Sequence, residues 1–244
     1  MLNNTAAIFG GKSPLSYSAT VLADSPIGFW LLNETSGSTG DDLTANNNDL
    51  TFVNSPTLNV STGLAGIPVG ITFDGTNDYL NTATVATFNI PSSGNWSMET
   101  WIKTSTASGG VFAAWRDQTG SGGGVTTSLS LNLFGAGSIG AFTLDSGGNN
   151  LILSHANSYN DNAWHQVVIS AASGGAMRLY IDAVDQANTT TARFTGASNR
   201  RIIVGANDNT GTPSDFYTGT STAVSVYNTA LSAAQVLAHY NAGV

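Results

Sequence analysis

The sequence predicts an all-β fold of the sandwich or barrel type, and three observations carry that prediction. Thr, Ser, Asn and Gly together make up 109 of the 244 residues, and these small uncharged residues favour strands and turns over helix interiors. From Tyr17 onward, ten short strand-like runs alternate with clusters of Gly, Asn, Ser and Thr, a spacing typical of sandwiches and barrels. The best-patterned runs alternate apolar and polar residues with the period of two that sends successive side chains to opposite faces of a sheet.

Charge and composition narrow the function classes. With 41% hydrophobic residues, 9% charged residues and a net charge of -8, the chain is too neutral for a disordered polyelectrolyte. Seven Lys plus Arg against fifteen Asp plus Glu make it too acidic to follow a nucleic-acid backbone. The absence of cysteine removes disulfides, thiolate catalysis and Cys-ligated metals, so stability must come from packing, which a chain of this length can supply. The N-terminus lacks the basic start and apolar run of a secretory signal, and no stretch is long and apolar enough to span a bilayer. The expectation is a chain that is soluble as made and reaches the outside of a cell by lysis or by assembly into a particle.

Along the chain, residues 1–16 carry Gly10-Gly11 and Pro14 without periodicity and read as an arm or linker. Residues 17–244 read as one domain. Its predicted strands are Ile27–Leu32, Ile71–Phe73, Trp96–Lys103, Val111–Trp115, Ser128–Phe134, Ile139–Leu144, Trp164–Ser170, Met177–Ile181, Ile202–Val204 and Ala223–Tyr227. In Trp96–Lys103, the residues Trp96, Met98, Thr100 and Ile102 share one face, and Ser97, Glu99, Trp101 and Lys103 the other. In Met177–Asp182 the apolar face is Met177, Leu179 and Ile181, opposite Arg178, Tyr180 and Asp182. One sheet face is therefore expected to be partly polar and partly open. The Gly/Ser/Thr-rich stretch Thr119–Thr127 reads as a loop. After Tyr227 the spacing turns helical: Ser232 and Gln235 form a capping box, Leu231, Val236, Leu237 and Tyr240 supply a buried side, and Gly243 stands where a short helix stops.

Several segments, in order, resemble the laminin G-like domains of the concanavalin A-like lectin and glucanase superfamily. They are Ala23-Asp24-Ser25-Pro26 with Phe29-Trp30-Leu31-Leu32-Asn33-Glu34, the Asn-rich turn at Asn46-Asn47-Asn48-Asp49, and Phe73-Asp74-Gly75. Further along come Glu99-Thr100-Trp101, Trp164-His165, Leu179-Tyr180-Ile181-Asp182 and the ending Tyr227-Asn228-Thr229-Ala230-Leu231-Ser232. The resemblance implies a jelly-roll sandwich of two antiparallel sheets. It implies little about chemistry, because one fold carries many functions.

The candidate sites follow from residue chemistry. A glycosidase needs two carboxylates about 5 to 10 Å apart, and the only glutamates, Glu34 and Glu99, lie in separate segments, so no catalytic residues and no enzyme activity are predicted. Glu99 reads as a polar residue on the partly open face. His155, His165 and His239 form no i, i+4 pair and no triad signature. His165 is expected to bond locally and His239 to favour the C-terminal end of its helix. Asp74, Asn77, Asp78 and Glu34 offer oxygens for a structural calcium, but Thr222 and Ala223 stand where the family carries two acids. No metal or other cofactor is therefore predicted, and Asp74 reads as the cap of a turn at Gly75.

Sugar recognition needs exposed aromatic rings beside planar polar groups, which singles out Trp101, Trp115, Arg116 and Tyr180 as candidate ligand residues. The competing reading puts the tryptophans in the core. The function expected from all this is a non-enzymatic structural virion protein, a bacteriophage decoration or fibre component on the virion surface, attached to other virion or capsid proteins through the arm. The alternative is a carbohydrate-binding or adhesion module recognising host surface glycans; a glycan hydrolase ranks last. Neither nucleic acid nor membrane insertion is expected, and a homo-oligomer fits a virion role.

Overall fold

The computed structural model describes residues 16–89, 94–107, 109–117, 128–144, 150–172, 177–189, 200–209 and 212–244. The arm, apart from Ser16, and the Thr119–Thr127 loop lie outside the described residues. Helix α1 (Tyr17–Ala23) comes first, followed by strands β1 (Gly28–Trp30), β2 (Thr39–Gly40), β3 (Leu50–Val53), β4 (Thr57–Ser61), β5 (Val69–Asp74) and β6 (Tyr79–Asn81). The longer strands are β7 (Trp96–Lys103), β8 (Gly110–Asp117), β9 (Ser128–Leu133), β10 (Ser138–Leu144), β11 (Asn150–Ser158) and β12 (Trp164–Ala171). Then come β13 (Met177–Ile181), β14 (Val184–Thr189), β15 (Arg200–Val204), the small pair β16 (Asn207–Asn209) and β17 (Thr212–Ser214), β18 (Thr218–Tyr227) and helix α2 (Ala233–Gly243).

The strands build the expected antiparallel two-sheet sandwich. Sheet A runs β14-β13-β12-β7-β18-β5-β4, with β1 also paired to β18, and sheet B runs β11-β10-β9-β8-β15-β6-β3-β2. A bulge between Thr222 and Ser225 lets β18 pair with β5 through Thr218–Ser221 and then with β1 through Val224–Val226. The predicted alternation holds. Trp96, Met98, Ile102, Met177, Leu179 and Ile181 point between the sheets and meet Trp115, Leu129, Leu131, Ile202 and Val204 of sheet B in one core. Burying such side chains contributes about 1.5–3 kcal/mol each.

The outer face of sheet A is not open. Both helices lie on it, enclosing Tyr17, Val21, Phe29, Trp101, Val168, Tyr180, Tyr227 and Val236 in a second cluster. Helix α1 begins at Ser16, whose side chain accepts from the Ala19 amide. Helix α2 begins with the predicted capping box of Ser232 and Gln235. Gly243 brings α2 down onto Trp101, where an added Cβ would come within 2.6 Å of the indole. The outer face of sheet B carries a smaller cluster of Val111, Ala114, Ile203 and Ala206, with Tyr79 and Phe216 packed against it. No helix among the described residues is long and apolar enough to cross a membrane.

Candidate functional site

The four candidate residues divide between the sheets: Trp101 and Tyr180 share the cluster on the outer face of sheet A, and Trp115 and Arg116 lie on β8 of sheet B. Trp101 is fully buried: its Nε1 donates to the Tyr17 hydroxyl at 3.2 Å, and its ring stacks on Tyr240 at a centroid distance of 5.6 Å and an angle of 9°. Trp115 is fully buried in the core between the sheets, with Nε1 donating to the Phe88 carbonyl at 2.8 Å. Neither indole offers a face to a sugar, which corrects the expectation for both. The reason is shared: tertiary cover, from α2 over Trp101 and from the opposite sheet over Trp115, that strand alternation cannot register.

Tyr180 and Arg116 are buried as well, each 3% exposed, so the expected exposed ring is not found at Tyr180 either, because the helix-covered face of sheet A encloses it. Tyr180 lines a cleft of about 400 Å³ at the edge of sheet A, between strands β12 to β14 and the start of α2, together with Ser170, Arg178, Asp185, Leu231 and Ser232. The register sets Tyr180 opposite Asp185 across β13 and β14, and Arg178 forms an ion pair with Asp185. The Tyr180 phenol is held above its ordinary pKa by burial first and by the Asp185 charge second, so it stays protonated and can donate. Ser170 Oγ donates to the Leu231 carbonyl at 2.9 Å and Ser232 serves the helix cap. The polar groups left to a ligand are the partly exposed Arg178 and Asp185. Sequence reasoning singled out Tyr180 and placed Arg178 on its strand face without naming it a ligand residue; Asp185 escaped because β14 has little apolar signal of its own.

Arg116 lies on the other sheet. Its neighbour Trp115 faces the core, so Arg116 projects from the outer face of sheet B, directly opposite Arg201 in the β8–β15 register. It is buried, and burial lowers its pKa to about 10 against the opposing pull of Asp208 and Asp215.

The remaining charged candidates are structural. Glu99 is fully buried, which corrects its placement on an open face. It accepts from Gln166 Nε2 at 2.8 Å and from the Tyr17 hydroxyl at 3.4 Å. His239 reaches it from α2 instead of sitting free at the end of that helix, with Nδ1 at 2.7 Å from Glu99 Oε2 and Nε2 at 3.0 Å from Asp24 Oδ2. His165 bonds locally as expected, to Asp182 at 2.8 Å and Asp161 at 3.1 Å. Glu34 accepts the Asp41 amide at 3.1 Å, and burial raises its pKa.

Asp74 Oδ1 accepts the Thr76 and Asn77 amides at 2.7 and 3.4 Å, and Gly75 takes a φ of +75°, so Asp74 caps the turn. Among the described residues no group of three or more His, Asp and Glu is arranged to hold a metal ion. Sequence reasoning overlooked the organising role of Asp42, whose carboxylate accepts from the Phe29, Thr44 and Asn48 amides at 3.0 Å each and so fixes the Asn-rich turn against β1.

Similar folds occur among solved structures. Domain 4 of AbnA, a GH43 extracellular arabinanase from Geobacillus stearothermophilus, in complex with arabinotriose, is similar at 14% identity and a TM-score of 0.68, over 88% of this chain and 98% of that one. The receptor binding domain of botulinum neurotoxin D is similar at 16% identity and a TM-score of 0.65, over 90% of this chain and 53% of that one. The botulinum neurotoxin serotype D ligand binding domain in complex with N-acetylneuraminic acid gives 16% identity and a TM-score of 0.65, over 93% and 52%. The chain thus spans about half the length of these toxin domains, and likeness at such identities establishes the fold. No curated protein matches the sequence. The family model for the concanavalin A-like lectin/glucanases superfamily matches residues 74–237, more than half of the chain, and together with the two-sheet sandwich this makes the chain a member of that superfamily.

Proposed function

We propose that the chain is a non-catalytic glycan-binding module, and that the cleft of Arg178, Tyr180 and Asp185 receives a sugar. The observation that carries this reading is the cleft itself: a concave site in which the half-exposed guanidinium of Arg178 and carboxylate of Asp185 stand beside the buried Tyr180, planar polar groups of the kind that sugar hydroxyls require. The similar fold of an arabinanase domain bound to arabinotriose and of a toxin domain bound to N-acetylneuraminic acid supports it. A non-catalytic role is supported by Glu99, whose oxygens are committed to Tyr17, Gln166 and His239, and by Glu34, one oxygen of which holds the Asp41 amide. Neither is poised as half of an acid–base pair across a groove.

A glycan array on the full chain, followed by titration calorimetry with arabinotriose and the best array ligand, tests the proposal. Saturable binding weakened about tenfold by Arg178→Ala and by Asp185→Ala is the expected result, the loss of one charge-assisted hydrogen bond. A blank array, or affinity untouched by both substitutions, refutes it. A second reading is display of this module on a virion surface of bacteriophage type through residues 1–16, the role expected from the sequence. It predicts the chain among the proteins of purified virions by mass spectrometry, and its absence after deletion of residues 1–16.

A further inference from the structure

The cleft beside Arg178 and Asp185 also limits which saccharide it can hold. The two side chains meet through one contact, Arg178 Nη1 donating to Asp185 Oδ2, and neither takes another hydrogen bond among the described residues. A guanidinium carries five N–H donors and a carboxylate two acceptor oxygens, so donors on one side and Oδ1 on the other stay open next to each other. The neighbouring polar groups are spent: the Ser232 amide and hydroxyl both donate to Gln235 Oε1, and the Ser170 hydroxyl donates to the Leu231 carbonyl. With Tyr180 buried and much of the remaining wall made of Ala172, Ala230 and Ala233, the cleft presents no exposed ring on which a sugar could stack. A saccharide is met there along its hydroxyl edge.

Charge decides which edge fits. The Arg178–Asp185 pair sums to zero, in a chain whose net charge is -8. An acidic sugar reaching for Arg178 would set its own carboxylate beside that of Asp185, and like charges brought together in this way are costly. Two hydroxyls on adjacent carbons of a neutral sugar meet no such penalty, because each hydroxyl can both donate and accept. We propose that the cleft selects neutral saccharides through a vicinal pair of hydroxyls, one donating to Asp185 and its neighbour accepting from Arg178, and that Asp185 is the residue that turns acidic saccharides away. The inference rests on the glycan-binding function proposed above and adds the class of glycan and the residue that sets it.

Titration of the full chain with the methyl glycosides of galactose, mannose and glucose, and with sodium galacturonate and glucuronate as acidic counterparts, tests this. At least one neutral glycoside is expected to saturate and neither uronate to do so. For that glycoside, the deoxy analogues lacking either hydroxyl of one vicinal pair should bind about tenfold more weakly, the loss of one charge-assisted hydrogen bond. Asp185→Asn, which keeps the shape and removes the charge, should weaken the neutral glycoside about tenfold and admit the uronates, whereas Arg178→Lys, which keeps the charge and loses the planar fork, should weaken the glycoside and still exclude them. Both side chains are partly exposed, so both variants should keep the wild-type thermal midpoint. A uronate bound by the wild-type chain as tightly as its neutral counterpart, or a preference for neutral sugars unchanged in Asp185→Asn, overturns the proposal; if that binding still depends on Arg178, the glycan-binding function stands without it. Saturation by none of the three glycosides also overturns the proposal, and the glycan array then decides the glycan-binding function separately.

Discussion

His239 Nδ1 stands 2.7 Å from Glu99 Oε2, and both side chains are fully buried. The contact joins the last helix to the central strand β7, and the second ring nitrogen of His239 extends it to Asp24 at the end of α1. A neutral imidazole can donate to only one of the two carboxylates, whereas the imidazolium satisfies both. Burial pulls the His239 pKa down, but the charge and hydrogen bonds of Glu99 and then of Asp24 outweigh it and hold the pKa above the ordinary value. The other groups facing the contact, the phenols of Tyr17 and Tyr227, are pushed well up by burial and then by Glu99, so they stay neutral.

The sign of the pH dependence follows. The folded pKa of His239 lies above the unfolded value of about 6.5, so its stabilisation is complete below that value and is lost as pH rises through the folded pKa. His165, also raised between Asp182 and Asp161, acts in the same direction but is more exposed and so more strongly screened. Thermal midpoints recorded from about pH 6 to 9 should fall for the wild-type chain and fall less for His239→Gln. A profile as steep in the variant as in the wild type would assign the dependence elsewhere.

Removing one partner from a buried pair leaves the other charge stranded. Glu99→Leu should therefore cost about 3 to 5 kcal/mol in urea denaturation, with the fluorescence of Trp101 reporting loosened helices. Fluorescence is apt because the indole donates to Tyr17, which in turn donates to Glu99.

Trp101→Ala removes the ring on which Tyr240 stacks and should cost about 3 to 5 kcal/mol. Because the indole is enclosed, glycan affinity of the folded variant should match the wild type, and a selective loss of affinity would restore Trp101 as a ligand residue.

At the start of α2, Ser232→Ala takes away a side chain that accepts the Gln235 amide and should lower stability by about 1 kcal/mol. Denaturant titration measures it; no change would mean that packing alone starts the helix.

Much of this fold can be read from the residues. Strands β7 and β13 run where their alternation puts them, and the capping box marks α2, because both signals are local. Helix α1 escaped detection: seven residues are too few to establish a helical period, and its hold on the sheet comes from Tyr17 and Asp24 meeting Glu99 and His239 from the far end of the chain. The same distance hid the cover over sheet A. Ser97, Glu99 and Ser225 alternate with apolar residues as solvent-facing groups do, yet they are buried with partners such as the Thr229 carbonyl, His239 and Tyr227; a satisfied interior polar network and a wet face give the same pattern. Of the candidate residues, Tyr180 and Arg116 were legible as residue types but their burial was not. The Arg116–Arg201 opposition was not, since it exists only once β15 lies beside β8.

Ser16 and Tyr17 border the same hollow as Asn241, Ala242 and Val244, so both ends of the described polypeptide emerge behind sheet A. A tether fused at either end therefore holds the sandwich by its back. The outer face of sheet B then looks away from such a tether, and the Tyr180 cleft stays close to it. Shortening the tether should crowd large ligands at that cleft first.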